Sequence, residues 1–153
     1  MHSIDLEKKT AAALEKPPLS RTVVMRACGR LAGLLTGGAY DGEIRARGLE
    51  KLLTRERICQ AAFFLREDTL ERRVKTELLG LQNRFLMPLG VLMHVTAGNM
   101  TGIGAYSVLE GLLAGNINLL KLSSEDDGLS VFLLQELIRI EPVLADYIYT
   151  FRI

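Results

Sequence analysis

Apolar positions recur along this chain at two spacings, and the change falls near residue 84. Up to that point they return every three or four residues, as on one face of a helix; beyond it, short apolar runs alternate with helical stretches. Ile4, Leu6, Ala13 and Leu14 are loosely periodic after a possible cap at Ser3, and Pro17 and Pro18 stop the segment. It is expected to be a frayed arm or a packing helix without chemistry. Ser20 offers a second cap before Val23, Val24, Ala27, Cys28, Leu31, Leu34 and Leu35, an amphipathic helix closed by Gly37 and Gly38.

From Asp41 to Gly80 the helical period persists while charges multiply. Leu49, Leu52 and Leu53 are followed by Ile58, Ala61, Ala62 and Leu65, then by Leu70, Val74 and Leu78. Asp68 and Glu71 have capping-box spacing, and Gly80 suits the far end. The cations Arg55, Arg57, Arg66, Arg72, Arg73 and Lys75 interleave with Glu56, Glu67, Asp68, Glu71 and Glu77. That predicts a solvated face with i to i+4 pairs rather than a phosphate site. Gln82 to Met87 is a connecting strand or extended link.

The stretch PLGVLMHVTAGNMTGIGAYSVLEGLLAGNINLLK, Pro88 to Lys121, organises the remainder. Leu89 to Val95 reads as a buried strand, Thr96 to Gly104 as a turn of small residues, the following residues as a helix to about Ala114, and Ile117 to Leu122 as a second strand. This is a βαβ unit with parallel strands. A polar turn from Ser123 to Gly128 leads to a helix over Leu129 to Ile140, with Val131, Leu134, Leu137 and Ile138 facing inward. Pro142 marks its end, and Ala145 to Ile153 alternates like a third strand. Such a strand is normally covered by later helices, so the sequence is expected to be truncated. The predicted class is α/β: an N-terminal helical segment over residues 1–83, then the first part of a Rossmann-like parallel sheet over 84–153.

Composition narrows the class of function. With 19 Lys and Arg against 18 Asp and Glu in 153 residues, the net charge of +1 leaves no footprint for nucleic acid. The beginning, MHSIDLEKKT, has no apolar signal core, and Glu110, Asn116 and Asn118 interrupt the most apolar stretch, so no membrane span is expected and the cytoplasm is the predicted setting. Cys28 and Cys59 lack metal-site spacing and are expected to be buried, inert thiols.

The candidate chemistry gathers at the turn after the first strand, where open α/β sheets bind ligands. Thr96, Ala97, Gly98, Gly102, Gly104 and Ala105 are small, and the following helix directs free N–H groups at that space. The turn is either an anion cradle or a tight packing device; its spacing does not match GxGxxG. Asn99 either caps the helix or aims its side-chain N–H at a developing oxyanion. His94 is a base or a packed core residue. Lys121 at the end of the second strand, with Ser123 and Ser124 beyond it, holds a ribose or phosphate or else snorkels at an edge.

PLGVLMHVTAGNM followed by GLLAGNINLLKLSS resembles the cofactor-binding half of the aldehyde dehydrogenase superfamily. The AGN turn is most similar to that of the fatty acyl-CoA reductases of the bioluminescence type, which reduce acyl thioesters to aldehydes with NADPH. The resemblance covers roughly Arg84 to Ile153. It implies that Asn99 is the oxyanion-hole amide, that Thr96, Ala97 and Gly98 line the cofactor, and that Lys121 binds the adenosine ribose. Three residues past that lysine, Ser124 stands where NAD-preferring relatives often carry a Glu, which implies NADPH as cofactor with NADH possible. The family's nucleophilic Cys lies downstream of this region, so the 153 residues are expected to be inactive by themselves. An acyl-CoA or other acyl thioester is the implied substrate of the full enzyme, and a homo-oligomer is expected. The rival expectation is a non-catalytic nucleotide-binding or subunit-interaction module.

Overall fold

The computed structural model describes residues 3–78, 86–96, 101–123 and 128–152. Contacts divide the chain into two units, residues 22–86 and residues 1–21 together with 87–153.

The first unit is helical. Most of α2 (Arg21–Thr36) lies in it and buries Val24, Ala27, Cys28, Leu31, Ala32 and Leu35, a stripe at spacings of three, four and one. Leu34, expected inside, is part of the exposed surface, and Val23 is half-buried. Gly38, at φ +79°, turns the chain out of the helix, and Ala39 N–H donates to Leu34 O at 3.0 Å. Three further helices follow: α3 (Asp41–Ala46), α4 (Arg55–Leu65) and α5 (Glu67–Arg73), the last running into a π-turn at Val74–Leu78. Thr54 caps α4 by accepting from Arg57 N–H at 3.3 Å.

The capping box expected at Asp68 and Glu71 does not form. Arg66 occupies the N-cap position of α5, and Asp68 lies inside the first turn with its carboxylate on the Arg66 guanidinium, 2.9 Å at each oxygen. The fork of Arg66 outcompetes the weaker backbone bond that an N-cap aspartate would make. Gly80 lies outside the described residues. Cys59 is likewise not the buried thiol expected: it is exposed, because Ile58, Ala62 and Leu65 define the inward stripe of α4 and Cys59 lies one residue off it.

The second unit carries the sheet. Three parallel strands, β1 (Val91–Val95), β2 (Ile117–Lys121) and β3 (Ile148–Phe151), lie in the order β1-β2-β3. The connection from β1 to β2 contains α6 (Ile103–Leu113), and that from β2 to β3 contains α7 (Leu129–Ile140). The α/β class expected from the sequence is thus present, with a helical part and a small parallel sheet. α6 and α7 pack side by side, and Gly104 leaves room for their contact: a Cβ there would stand 2.9 Å from Ser130 Oγ and 3.1 Å from Leu120 Cδ2. Leu112, Val108, Leu120, Phe132, Leu134, Leu137 and Leu144 fill this core at or near complete burial.

Pro142 does more than end α7. It opens a 3-10 turn over Pro142–Asp146, which takes the residues expected to start β3 and leaves that strand only four residues long. α1 (Ser3–Leu14) belongs to the unit of the sheet rather than to that of α3, α4 and α5. Two tethers hold its exit: Tyr147 O–H donates to Pro17 O at 2.9 Å, and Lys16 pairs with Asp146 at 2.5 Å.

One face of β1 is open. Met87, Leu89, Val91, Met93 and Val95 alternate with inward residues, and Met93 and Val95 are 58% and 69% exposed. The strand expected to be buried is therefore a strand with one exposed apolar face, and among the described residues it pairs only with β2.

Candidate functional site

Parallel pairing puts the carboxyl ends of β1 and β2 together. Val95 and Lys121 are register partners, so Thr96 leaves the sheet beside the point where Lys121 ends β2. Lys121 is half-buried and has no carboxylate partner among the described residues. Leu122 turns into the core, its N–H donating to Phe151 O at 2.9 Å. Ser123 follows, and its Oγ is buried without a hydrogen-bond partner among the described residues. Buried hydroxyls are nearly always satisfied, so Ser123 Oγ is open to a polar partner at the carboxyl end of the strand.

α6 starts against the same edge. Gly102, at φ +74°, supplies the left-handed residue that turns the chain into the helix, a conformation costly for any residue with a Cβ. The helix has no acidic residue in its first turn and Gly102 makes no side-chain capping bond, so the helix itself brings no counter-charge to its positive dipole end. Gly104 and Ala105, however, are buried against the core, where their small size serves close packing, so they offer a ligand only their backbone N–H groups. Of the small residues of the turn, Thr96 and Gly102 are thus the described ones free to face a ligand. Ala97, Gly98, Asn99 and Ser124 lie outside the described residues.

His94 points elsewhere. Its Nδ1 lies 2.7 Å from Ser107 Oγ on α6 and its Nε2 3.0 Å from Asn118 Oδ1 on β2. Asn116 and Asn118, at 3% and 0% exposure, were legible only as interruptions of an apolar run, yet both are structural hubs. Asn116 Oδ1 accepts from Gly90 N–H at 3.1 Å, which fixes the entry to β1.

The helical unit offers a different feature, an open cleft of about 560 Å³ lined by Arg26, Gly29, Arg30, Arg66, Glu67 and Asp68. Arg66 is committed to Asp68 and holds that carboxyl below the usual carboxylate range. The cleft therefore carries mixed charge. Arg73 with Glu77 and Arg47 with Glu43 form i to i+4 pairs, in keeping with a solvated charged face. Cys28 has no part in chemistry: burial pushes its thiol up to about 12. No group of three or more His, Cys, Asp or Glu among the described residues is placed to hold a metal ion. No described helix is long and apolar enough to cross a membrane.

The Thr96, Lys121 and Ser123 donors, with the free end of α6, suit a ribose or a phosphate: one cation, two hydroxyls and amide N–H groups, with no carboxylate among them. The family model described as acyl-CoA reductase (LuxC) matches residues 39–150. No curated protein and no solved structure matches. The matched span takes in most of the helical unit, β1, β2 and most of β3, with the edge that carries Thr96, Lys121 and Ser123, and on it the chain belongs to the acyl-CoA reductase (LuxC) family.

Proposed function

We propose that the chain forms the nucleotide-binding part of an NADPH-dependent acyl-CoA reductase that makes fatty aldehydes from acyl thioesters. One observation carries the reading: the buried Oγ of Ser123, without a hydrogen-bond partner among the described residues, beside the ends of β1 and β2. Leaving such a hydroxyl unsatisfied costs roughly 1–3 kcal/mol, which a ribose hydroxyl or phosphate oxygen would recover. Lys121 holds the adenosine ribose by charge and hydrogen bond. Ser123 and Ser124 donate to a 2′-phosphate where a carboxylate would repel it, so NADPH is preferred and NADH is accepted less well. Thr96, Ala97 and Gly98 line the cofactor. When bound, the nicotinamide supplies the hydride.

Asn99 donates its side-chain N–H to the oxygen of the thioester carbonyl as negative charge develops there. The attacking thiol is not Cys28, which stays protonated in the core. The family pattern sets the nucleophile downstream of Lys121, and Cys59 precedes the cofactor strand, so these 153 residues are expected to bind nucleotide without turning over substrate. A cytoplasmic setting suits two cysteines that are both free.

A second reading, a non-catalytic interaction module, is favoured by the exposed apolar face of β1. Its occupant would be a second copy of this chain. The edge from Leu86 to Val95 carries no Lys, Arg, Asp or Glu to oppose pairing of two identical strands about a two-fold axis. Titration with NADPH and NADH, followed by nicotinamide fluorescence, separates the two. Saturable binding with NADPH tighter than NADH is expected; an oligomer that ignores both nucleotides would leave the interaction reading alone.

A further inference from the structure

His94 lies on β1 two residues before Thr96, and both of its ring nitrogens are engaged. The side chain of Asn118 can face only one way. Its Nδ2 lies 2.7 Å from Asn116 O and 3.3 Å from Tyr147 O, two carbonyls that can only accept. Oδ1 therefore faces the imidazole, and because it too only accepts, Nε2 must carry the proton. In the neutral ring Nδ1 is then an acceptor, and the Ser107 hydroxyl donates to it across 2.7 Å. Two backbone carbonyls thus set the tautomer of a histidine on the neighbouring strand. The space for this is built in: a Cβ at Gly111 would stand 2.9 Å from Asn118 Cγ and 3.3 Å from His94 Nε2.

Cohesion alone does not call for such a network, since an aliphatic side chain would fill the layer between α6 and the sheet as well. What apolar contact does not supply is direction. The bond to Ser107 fixes both the height and the rotation of α6 on β1. Ser107 lies four residues after Ile103, the first residue of that helix, and so shares its face one turn on.

We propose that His94 is a positioning residue for the nucleotide site. It holds the amino end of α6 in register with the carboxyl end of β1, so that the first free N–H groups of α6 converge with Thr96, Lys121 and Ser123 on the same phosphate or ribose. The inference rests on the cofactor reading above and adds to it a group that touches no ligand.

NADPH titration of the wild-type chain, His94→Gln, His94→Leu and Ser107→Ala, each with a urea unfolding curve, tests it. His94→Gln retains an N–H donor and a carbonyl acceptor at about the separation of the two ring nitrogens. The Leu variant is expected to weaken NADPH binding about tenfold while the Gln variant stays within about threefold of wild type, as loss and retention of oriented hydrogen bonds predict. A folded Leu variant that binds NADPH as tightly as wild type overturns the proposal, whatever its urea midpoint, because a packing role moves stability alone. Should the Leu variant not fold, Ser107→Ala decides in the same way, since it removes one hydroxyl from a half-buried helix position. Absence of NADPH binding by the wild type removes the cofactor reading and this inference together, whereas equal binding by all four chains removes this inference alone.

Discussion

Gly111 exists to make room for Asn118. A methyl group at Gly111 would collide with Asn118 Oδ1 and stand 2.9 Å from its Cγ, and Asn118 is fully buried with no space to retreat. Gly111→Ala should therefore reverse the usual effect of the substitution. In an exposed helix interior, Gly to Ala gains about 0.5–1 kcal/mol. Here overpacking costs about 1–3 kcal/mol, with a further hydrogen bond of about 1 kcal/mol lost if Asn118 turns away. Gly33, exposed on α2 with nothing within 4 Å of its added Cβ, is the control and should stabilise. Urea midpoints moving in opposite directions are the expected outcome, and a stabilising Gly111→Ala would contradict the Asn118 placement.

Cys28 gives a stability change at alkaline pH whose sign can be worked out. Burial raises its thiol from the ordinary 9.0 to about 12 in the folded chain. Between those values the unfolded chain has lost the proton and the folded chain keeps it. Unfolding then binds fewer protons, and stability falls as pH rises, by up to about 1.4 kcal/mol per pH unit. Below pH 9 the contribution is constant. Subtracting the urea curve of Cys28→Ala at pH 8, 9.5 and 10.5 isolates it from the lysines and tyrosines that titrate nearby. In the same protein a thiol reagent at pH 8 should label exposed Cys59 and reach Cys28 only after unfolding.

The elements from β1 to α7 were legible because strong periodicity and turn residues agree there. Leu129 to Ile140 is helical over the whole predicted span. The third strand is shorter than its alternating pattern predicts because Pro142, besides ending α7, has a fixed φ that suits the first residue of a 3-10 turn. At the site, the strand ends that carry Thr96 and Lys121 could be found from the βαβ pattern alone. The network around His94 could not, since Ser107 and Asn118 are 13 and 24 residues away and a polar residue in an apolar run does not announce its partner. Cys59 is exposed for a local reason: a one-residue offset on a helix turns a side chain by about 100° and moves it off the buried stripe.

Met93 tests whether the open face of β1 joins two copies of the chain. It is 58% exposed within the stripe from Met87 to Val95. Met93→Lys should leave the circular dichroism spectrum unchanged, because nothing buried is disturbed, and should lower the mass observed by light scattering at a fixed concentration. A wild-type chain that remains monomeric over the accessible range would argue against this pairing. Inward-facing Leu92 is unsuitable for the test, since its removal would perturb packing as well.

Asn99 is the residue on which the catalytic part of the reading depends. In the proposed reductase, Asn99→Ala should lower kcat by about a hundredfold or more, the usual effect of removing one oxyanion donor, with little change in the KM for NADPH. Asn99→Asp should be at least as damaging, because a carboxylate repels the charge that the amide N–H stabilises. An unchanged rate in the Ala variant would reduce Asn99 to a cap or a turn residue.

Ser123 separates a ligand site from a merely imperfect core. If its buried Oγ is unsatisfied because a nucleotide belongs there, Ser123→Ala should have two opposite effects. Without nucleotide the variant sheds an unpaired polar atom and should be more stable by about 1–3 kcal/mol. With nucleotide it lacks a donor, and the NADPH Kd should rise by about tenfold or more for a bond to a charged phosphate. Ligand-induced stabilisation, which grows as RT ln(1 + [L]/Kd), should then shrink, so thermal curves of the two proteins approach or cross as NADPH is added. Stabilisation without loss of affinity would mean that the hydroxyl is a packing defect, and the nucleotide would have to be held by Lys121 and the α6 amides without it.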